Sequence, residues 1–561
     1  MKNKRLLIVG GVAGGASCAA RARRLSEKAE IVIFERGPFV SFANCGLPYY
    51  VGDVIKKEDD LLVATPEMFK AWFNIDVRTN SNVAKIDPDK KTIQVENTST
   101  GKIEEEHYDT LVLAPGAAPI RPPLDGIDLP GIFALRTIPD TLQIKNWLGA
   151  KKSGHVAIVG GGFIGLEMAE NIHLRGFQVT IIEMQPQLMP VMDAEMAVFI
   201  HDHLRQKGIK LSLGQAAAGF KQQPDGSITI STTDGQTLNA DMVLLAIGVK
   251  PEVELAREAG LTIGATGGIK VDKYMQTSDQ NIYAVGDAVQ TTDFFSRQPR
   301  LVPLAGPANR QGRLAADVIM DHPHVKPFRG VQATAVCGVL GLTIAATGAT
   351  EKELLKRAGD GNPIPYEKVY LFPNDHAGYY PGAKTISLKV IFSVDDGRIL
   401  GAQAVGQAGV AKRMDVIATT IQHKGSVYDL AEAELCYAPQ YSSAKDPVNM
   451  AGMIAANALD GLAPLAQWED LDTRRHLVLD VRTPKEFSKG HVPDAVNIPL
   501  DKLRESLGTL PRGMEIRAHC EVGQRSYYAT RILLQNGFKV KNLTGGYAMY
   551  QTRQQIAKNN G

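Results

Sequence analysis

Cysteine is scarce in this chain, with five among 561 residues, at positions 18, 45, 337, 436 and 520. They form no C-x-x-C pair, which excludes a disulfide-stapled secreted scaffold and leads us to expect a reducing, cytoplasmic setting in which each thiol is weighed alone. A surplus of charge is equally lacking, since Lys plus Arg number 62 against 60 for Asp plus Glu, a net of +2. Bulk charge therefore recruits neither nucleic acid nor membrane. Long apolar runs are missing too. The stretch Val336 to Ala349 is broken by Gly338, Gly341 and Gly348 and falls short of the roughly 18 residues a membrane helix needs. The N-terminal run Leu6 to Val9 meets glycines at once and is followed by Arg21, Arg23 and Arg24, unlike a cleaved signal. A soluble protein is expected.

What the chain does have is length, a globular 44% of hydrophobic residues, and 54 glycines, above the usual share of about 7%. The length suits three or four domains. The glycines cluster after apolar runs. Residues 5–9 read as a strand, 10–15 as a glycine turn, 16–25 as a helix, and 30–34 as a second strand ending at Glu35. The same order returns at 155–159, 160–165, 166–174 and 178–182, ending at Glu183. A turn of this kind lets backbone N–H groups approach a pyrophosphate at a helix N-terminus, while the acid at the end of the next strand holds a ribose hydroxyl. Gly160, Gly162 and Gly165 fit G-x-G-x-x-G fully. In the first copy Val12 takes the middle position, leaving Gly10, Gly11, Gly14 and Gly15.

Residues 104–116 and 242–248 each read as a strand leading into a turn, and 280–287 as a strand ending in Gly286-Asp287. From 331 the pattern is mixed, with an alternating strand at 387–392 and a helix around 414–423. Residues 455–467, with Gly461 and Pro464, read as a linker, and 468–561 restart strand, loop and helix.

The two dinucleotide units and the returning Gly286-Asp287 strand together resemble the pyridine nucleotide-disulfide oxidoreductase family. The resemblance implies an α/β chain with two Rossmann-like domains. One is for FAD (1–118 and 249–330, with Glu35, Gly286 and Asp287) and one for NAD (119–248, with Glu183). An α+β dimerisation domain would span 331–454. The residues after Glu183, Met184-Gln185-Pro186-Gln187, include no Arg for a 2′-phosphate, so NADH is expected.

The segment Ser41-Phe42-Ala43-Asn44-Cys45-Gly46-Leu47-Pro48-Tyr49-Tyr50 has Tyr50 where two-cysteine members carry a second thiol. A single redox thiol needs an exogenous partner, either a mixed disulfide with a small thiol or an oxidised sulfur state. Cys18, Cys337 and Cys436 read instead as buried small hydrophobes. The segment around Cys45 resembles the single-cysteine coenzyme A-disulfide reductases. That resemblance implies Cys45 as redox centre and Ser17, Arg21, Arg24, Ser41, Asn44 and Lys445 as contacts of coenzyme A, although Arg21 stands where some relatives are neutral. It also implies a homodimer in which Tyr379 and Tyr437 reach the neighbouring subunit's site.

The last domain carries Val478-Leu479-Asp480-Val481-Arg482 and Gly490-His491-Val492, then Cys520-Glu521-Val522-Gly523-Gln524-Arg525, and resembles a rhodanese. The resemblance implies a six-residue loop whose N–H groups stabilise a thiolate or persulfide at Cys520, with charge added by Arg525. Glu521 stands where many rhodaneses are basic, which argues against an anionic donor such as thiosulfate. No metal is expected. The expected activity is reduction of coenzyme A persulfide, coenzyme A disulfide or polysulfide by NADH through FAD and Cys45, with Cys520 relaying sulfane sulfur. The rival readings are an NADH oxidase or peroxidase that cycles Cys45 through sulfenic acid, and a non-catalytic sulfur- or redox-sensing scaffold.

Overall fold

A computed structural model describes residues 4–560 except Lys152. It divides into two units, one of residues 1–184 and 215–333, the other of 185–214 and 334–561. Among the described residues no helix is long and apolar enough to cross a membrane.

The first unit is built on two parallel sheets. In one, strands run in the order Ile282–Ala284, Thr110–Leu113, Arg5–Val9, Glu30–Phe34, Asp76–Arg78. Leu7 pairs with Val32 on one side and with Leu111 on the other. In the second, Gln178–Glu183, His155–Val159, Met242–Leu245 and Ile132–Ala134 lie side by side. The central strands Arg5–Val9, Thr110–Leu113, His155–Val159 and Met242–Leu245 are almost wholly buried, so their sequences are largely apolar runs, as central strands of parallel sheets require. Each glycine turn connects the central strand of its sheet to a helix, Ala13–Leu25 or Phe163–Leu174. Both helices begin three residues before their expected starts, because Gly14 and Gly165 already belong to them. The strand expected at 104–116 is two strands, Ile103–His107 and Thr110–Leu113, in different sheets.

The second unit contains an antiparallel sheet in the order Ala335–Val339, Leu342–Gly348, Ile399–Gly406, Ile386–Ser393, Tyr366–Leu371. Its strand Ile386–Ser393 alternates in sequence, yet every one of its residues is buried. The reason is Lys389. Its ammonium lies 2.7 Å from Asp193, 2.5 Å from Glu195 and 2.8 Å from Glu351. These three carboxylates are close enough together to hold a metal ion, and here the lysine ammonium lies among them. Burial alone would lower the Lys389 ammonium and raise the Glu351 carboxyl, but their mutual attraction wins, holding Lys389 above its usual range and Glu351 at about 2.

A second parallel sheet in this unit runs Leu465–Ala466, Val540–Leu543, Glu515–His519, His476–Asp480, Val496–Asn497. The expected linker is therefore largely structured. Helix Pro447–Leu459 runs into it, and Leu465–Ala466 is the edge strand of the last sheet.

Lys389→Met should lower stability by about 3–5 kcal/mol, because it strands buried carboxylates rather than replacing the whole cluster. A fall in the chemical denaturation midpoint measures this. Glu351 contributes stability above its ordinary value of 4.5 that is lost as pH falls toward about 2. Unfolding midpoints in that window should thus converge for the two proteins.

Candidate active site

The glycine turns are shaped for close backbone approach. Gly10 and Gly160 have φ of +92° and +110°, and a Cβ on either would lie 2.2 or 2.3 Å from a carbonyl oxygen of the neighbouring strand-turn, Ala114 or Ala246. A Cβ at Gly162, by contrast, would meet nothing within 4 Å, so room for a phosphate is left at the start of its helix. Glu35 accepts from the N–H groups of Gly11 and Gly37, both at 2.9 Å, and Glu183 accepts from Gly161 N–H at 2.7 Å. Each acid is thereby placed over its own turn. This combination of open turn, helix start and oriented acid fits two dinucleotides. Gly286 has φ of +85° and donates to Gln311 at 2.8 Å, a partner without a sequence signal. Burial raises the Asp287 carboxyl, an effect that Arg136 partly opposes.

Cys45 is exposed on the short turn Asn44–Gly46. A Cβ at Gly46 would lie 2.9 Å from the end of the Leu61 side chain, so the turn packs closely against Leu61. Ser41 adopts φ of +47°, an uncommon conformation for serine that is pinned by its N–H to Gly11 at 2.8 Å. Tyr50 is buried, with Lys145 lying 3.9 Å over its ring. Partial burial, then the charges of Glu167 and Asp287, push the Cys45 thiol up. Glu167, on helix Phe163–Leu174, is the residue that sequence reasoning missed here. Burial, helped by Glu170, raises it to about 7. Its only sequence signal is an acid two residues after the last turn glycine.

Helix Ala13–Leu25 packs along helix Ala305–Ile319. Ser17 donates to Asn309 at 2.5 Å, and Arg21 forms an ion pair with Asp317 at 2.6 Å. Arg21 thus ties two helices together, while Arg24 and Asn44 stand exposed. In the second unit the hydroxyls of Tyr379 and Tyr437 lie 2.9 Å apart, both exposed, as is Lys445. Buried Arg413 braces the two loops that carry them, donating to Asp375 O at 2.7 Å and Asp446 at 2.9 Å. Cys436, expected to be buried, is exposed because it lies in the irregular segment after helix Val427–Glu432. Cys18 and Cys337 are buried.

Cys520 is buried at the end of strand Glu515–His519. Its sulfur accepts from Gly523 N–H at 3.2 Å and from Ser526 Oγ at 3.6 Å. Arg525 faces it and is held by both carboxylate oxygens of Glu486, at 2.6 and 2.8 Å. Glu521 is drawn aside by Arg482 at 3.0 Å, so part of its charge is already neutralised.

Residues 4–312 match the family described as pyridine nucleotide-disulphide oxidoreductase, 334–447 its dimerisation domain, and 465–553 the rhodanese-like domain. The chain belongs to the pyridine nucleotide-disulphide oxidoreductases. Members of this family are oxidoreductases that use FAD and NAD(H), and this one ends in a rhodanese domain. It is 37% identical to an NADH oxidase of Methanocaldococcus jannaschii over 81% of this chain and 99% of the relative. A coenzyme A disulfide reductase of Staphylococcus haemolyticus is 34% identical over 80% and 98%. Among solved structures, the reduced Bacillus anthracis CoADR-RHD is 46% identical, with a TM-score of 0.95 over 98% of each chain. A NAD-dependent persulfide reductase from A. fulgidus is 38% identical, with a TM-score of 0.89 over 97% of this chain and all of that one.

For this oxidoreductase, Glu167→Gln should speed alkylation of Cys45 in the FAD-loaded protein at about pH 8, because it removes a charge that disfavours the thiolate. At about pH 6 the effect should vanish, since Glu167 is mostly protonated below its value of about 7. Equal rates at both pH values would show that Glu167 does not act on the thiol.

Proposed function

We propose that this chain reduces coenzyme A persulfide and coenzyme A disulfide with NADH, and that its rhodanese domain feeds it sulfane sulfur. The observation that carries the reading is the pairing, in one chain, of a lone exposed thiol at Cys45 with a second thiol, Cys520, in a sulfur-binding loop. Tyr50 in place of a second cysteine leaves Cys45 dependent on an external thiol. The names of the S. haemolyticus and A. fulgidus relatives point the same way.

Bound FAD supplies a two-electron relay from NADH. The Cys45 thiolate attacks the sulfur attached to coenzyme A, and a mixed disulfide forms as the S–S bond of the substrate breaks. Hydrosulfide leaves from a persulfide, and a coenzyme A thiolate leaves from a disulfide. Two electrons then cleave the mixed disulfide, restoring the Cys45 thiolate and freeing coenzyme A. The hydrogen-bonded hydroxyls of Tyr379 and Tyr437 suit protonation of a leaving thiolate. In a homodimer joined through the dimerisation domain they would serve the neighbouring subunit. Ser17, Arg24, Ser41, Asn44 and Lys445 would hold the coenzyme, with Arg21 acting from its pair with Asp317. At Cys520 the loop N–H groups and Arg525 favour a persulfide, which coenzyme A would collect.

A second reading, peroxide or oxygen reduction with Cys45 passing through sulfenic acid, is favoured by the exposure of that thiol and by the name of the M. jannaschii relative. Anaerobic turnover compared across coenzyme A persulfide, coenzyme A disulfide, polysulfide and peroxide decides between the two.

Cys45→Ser should keep the flavin spectrum and lose persulfide and disulfide reduction by about a thousandfold or more, having no sulfur for the mixed disulfide. Cys520→Ser should leave both of those reactions within about two-fold and cut polysulfide turnover about tenfold or more. Normal disulfide turnover in the first variant, or normal polysulfide turnover in the second, overturns the corresponding role. NADH should exceed NADPH in kcat/KM by about tenfold or more, because Glu183 repels a 2′-phosphate. Glu183→Ala should narrow that ratio, and equal efficiencies in the parent would reveal a cation elsewhere.

A further inference from the structure

One short segment, Thr544 to Ala548, joins the Cys520 loop to a strand of a different sheet. On one side it sits against strand Tyr366–Leu371 of the antiparallel sheet. Tyr370 N–H donates to Thr544 Oγ1 at 3.0 Å, and a Cβ on Gly545 would lie 2.9 Å from Tyr370 Cβ. On the other side it sits beneath the loop. A Cβ on Gly546 would lie 2.5 Å from Cys520 O and 2.7 Å from Glu521 O. Tyr547 N–H and Ala548 N–H donate to those same two carbonyls at 2.8 and 3.0 Å. Both glycines have positive φ, +71° and +60°, so the segment is required to be bare on both faces.

The two carbonyl bonds have a consequence for the sulfur. The loop turns the Gly523 N–H onto it at 3.2 Å, which requires the carbonyls of residues 520 and 521 to point away. The first turn of helix Gly546–Asn560 holds them away. That turn in turn rests on Thr544, whose carbonyl accepts from Trp468 Nε1 at 3.2 Å and whose N–H donates to Ala466 O at 3.0 Å. Tyr370 is itself fixed, because its hydroxyl donates to Glu195 at 2.8 Å and Glu195 is bound by Lys389 at 2.5 Å. Lys368, two residues before Tyr370, forms ion pairs with Glu351 at 2.5 Å and with Glu469 of the rhodanese domain.

We propose that the seat of Thr544 and Gly545 on Tyr370 sets the geometry of the Cys520 loop, so that the dimerisation domain completes the sulfur-accepting site of the rhodanese domain. Tyr370, Thr544, Gly545 and Gly546 are then positioning residues, and the rhodanese domain is no autonomous module on a tether. The proposal rests on the sulfur-accepting reading of Cys520. In that step the Cys520 thiolate attacks a polysulfide sulfur, one S–S bond forms as another breaks, and the donor leaves as a polysulfide dianion shorter by one sulfur. No net electrons are exchanged.

The test uses the full-length, FAD-loaded protein with Thr544→Val, Thr544→Ser and Tyr370→Phe. Three readouts are taken: alkylation of Cys520 by iodoacetamide across pH, followed on the Cys520 peptide by mass spectrometry; single-turnover persulfidation by polysulfide; and coenzyme A disulfide reduction. Thr544→Val should slow alkylation and persulfidation about five-fold, the weight of one hydrogen bond, and move the alkylation profile to higher pH. Thr544→Ser should restore both, and Tyr370→Phe should shift the profile in the same direction as Thr544→Val. Coenzyme A disulfide reduction should stay within about two-fold in all three, because it needs only Cys45. If Thr544→Val does not fold, Tyr370→Phe carries the test. Alkylation profiles unchanged in every folded variant overturn the coupling. If the unmodified protein takes no sulfur from polysulfide, the sulfur-acceptor reading fails, and the alkylation profiles still decide the coupling.

Discussion

A single ammonium organises the second unit. Lys389 Nζ is enclosed by Asp193 and Glu195, from the start of one helix, and by Glu351, from the start of another. Four ionised groups in so buried a place are costly to desolvate, and apolar residues of the same volume could give as much stability. What apolar residues could not give is register. The carboxylates accept from one another's neighbours as well: Gln403 donates to Asp193 at 2.6 Å and Tyr370 to Glu195 at 2.8 Å. A one-residue slip of strand Ile386–Ser393 would turn Lys389 to the opposite face and leave three buried carboxylates without it. The cluster therefore penalises wrong pairings more than it rewards the right one. That suits a sheet against which a further domain must seat accurately.

The chemistry obeys a second constraint, that one thiol cannot form an internal disulfide. Where Tyr50 stands, a second cysteine would have closed the redox cycle within the chain. Its absence leaves Cys45 either to pair with an exogenous sulfur or to pass through an oxidised state of its own. The two cysteines in question have opposite settings. Cys45 is exposed, and partial burial and nearby acids push its thiol up. Cys520 is buried, with the Gly523 N–H donating to its sulfur and the Arg525 guanidinium beside it.

The parts of this arrangement that could be read from sequence are those where backbone geometry restricts the residue type. A turn that needs positive φ and lacks space for a Cβ leaves glycines at 10 and 160, and the acids Glu35 and Glu183 follow at a spacing set by one helix and one strand. Contacts distant in sequence left no such trace. Arg21 has the spacing of a phosphate ligand, and nothing near it in the chain announces Asp317, 296 positions away. Residues 387–392 alternate as a half-exposed strand does, because sequence period reports polarity and cannot tell water from a buried carboxylate. Glycine and proline at 461 and 464 suggested a linker, yet glycine there only ends helix Pro447–Leu459, with φ of +71°. Cys436 and Cys337 have similar apolar neighbours in sequence and opposite exposure, which depends on whether the segment enters a sheet.

Glu167 shows how far a helix position can carry chemistry beyond its fold. It lies in the second dinucleotide helix, where Gly165 is needed because a Cβ would lie 2.1 Å from Gly160 O. That glycine fixes the helix against its strand, and two residues later the helix presents Glu167 toward the Cys45 turn. Burial makes the carboxyl a weak acid of about 7, so near neutrality it exists in both forms. In the neutral form it removes a negative charge from beside a thiol that is about to become anionic. In the charged form it disfavours that anion. A proton on Glu167 and a negative charge on Cys45 therefore favour each other, and release of one proton promotes uptake of the other. The nucleotide fold thus does more than bind its ligand, because the glycine that shapes the turn also determines which carboxyl faces the thiol.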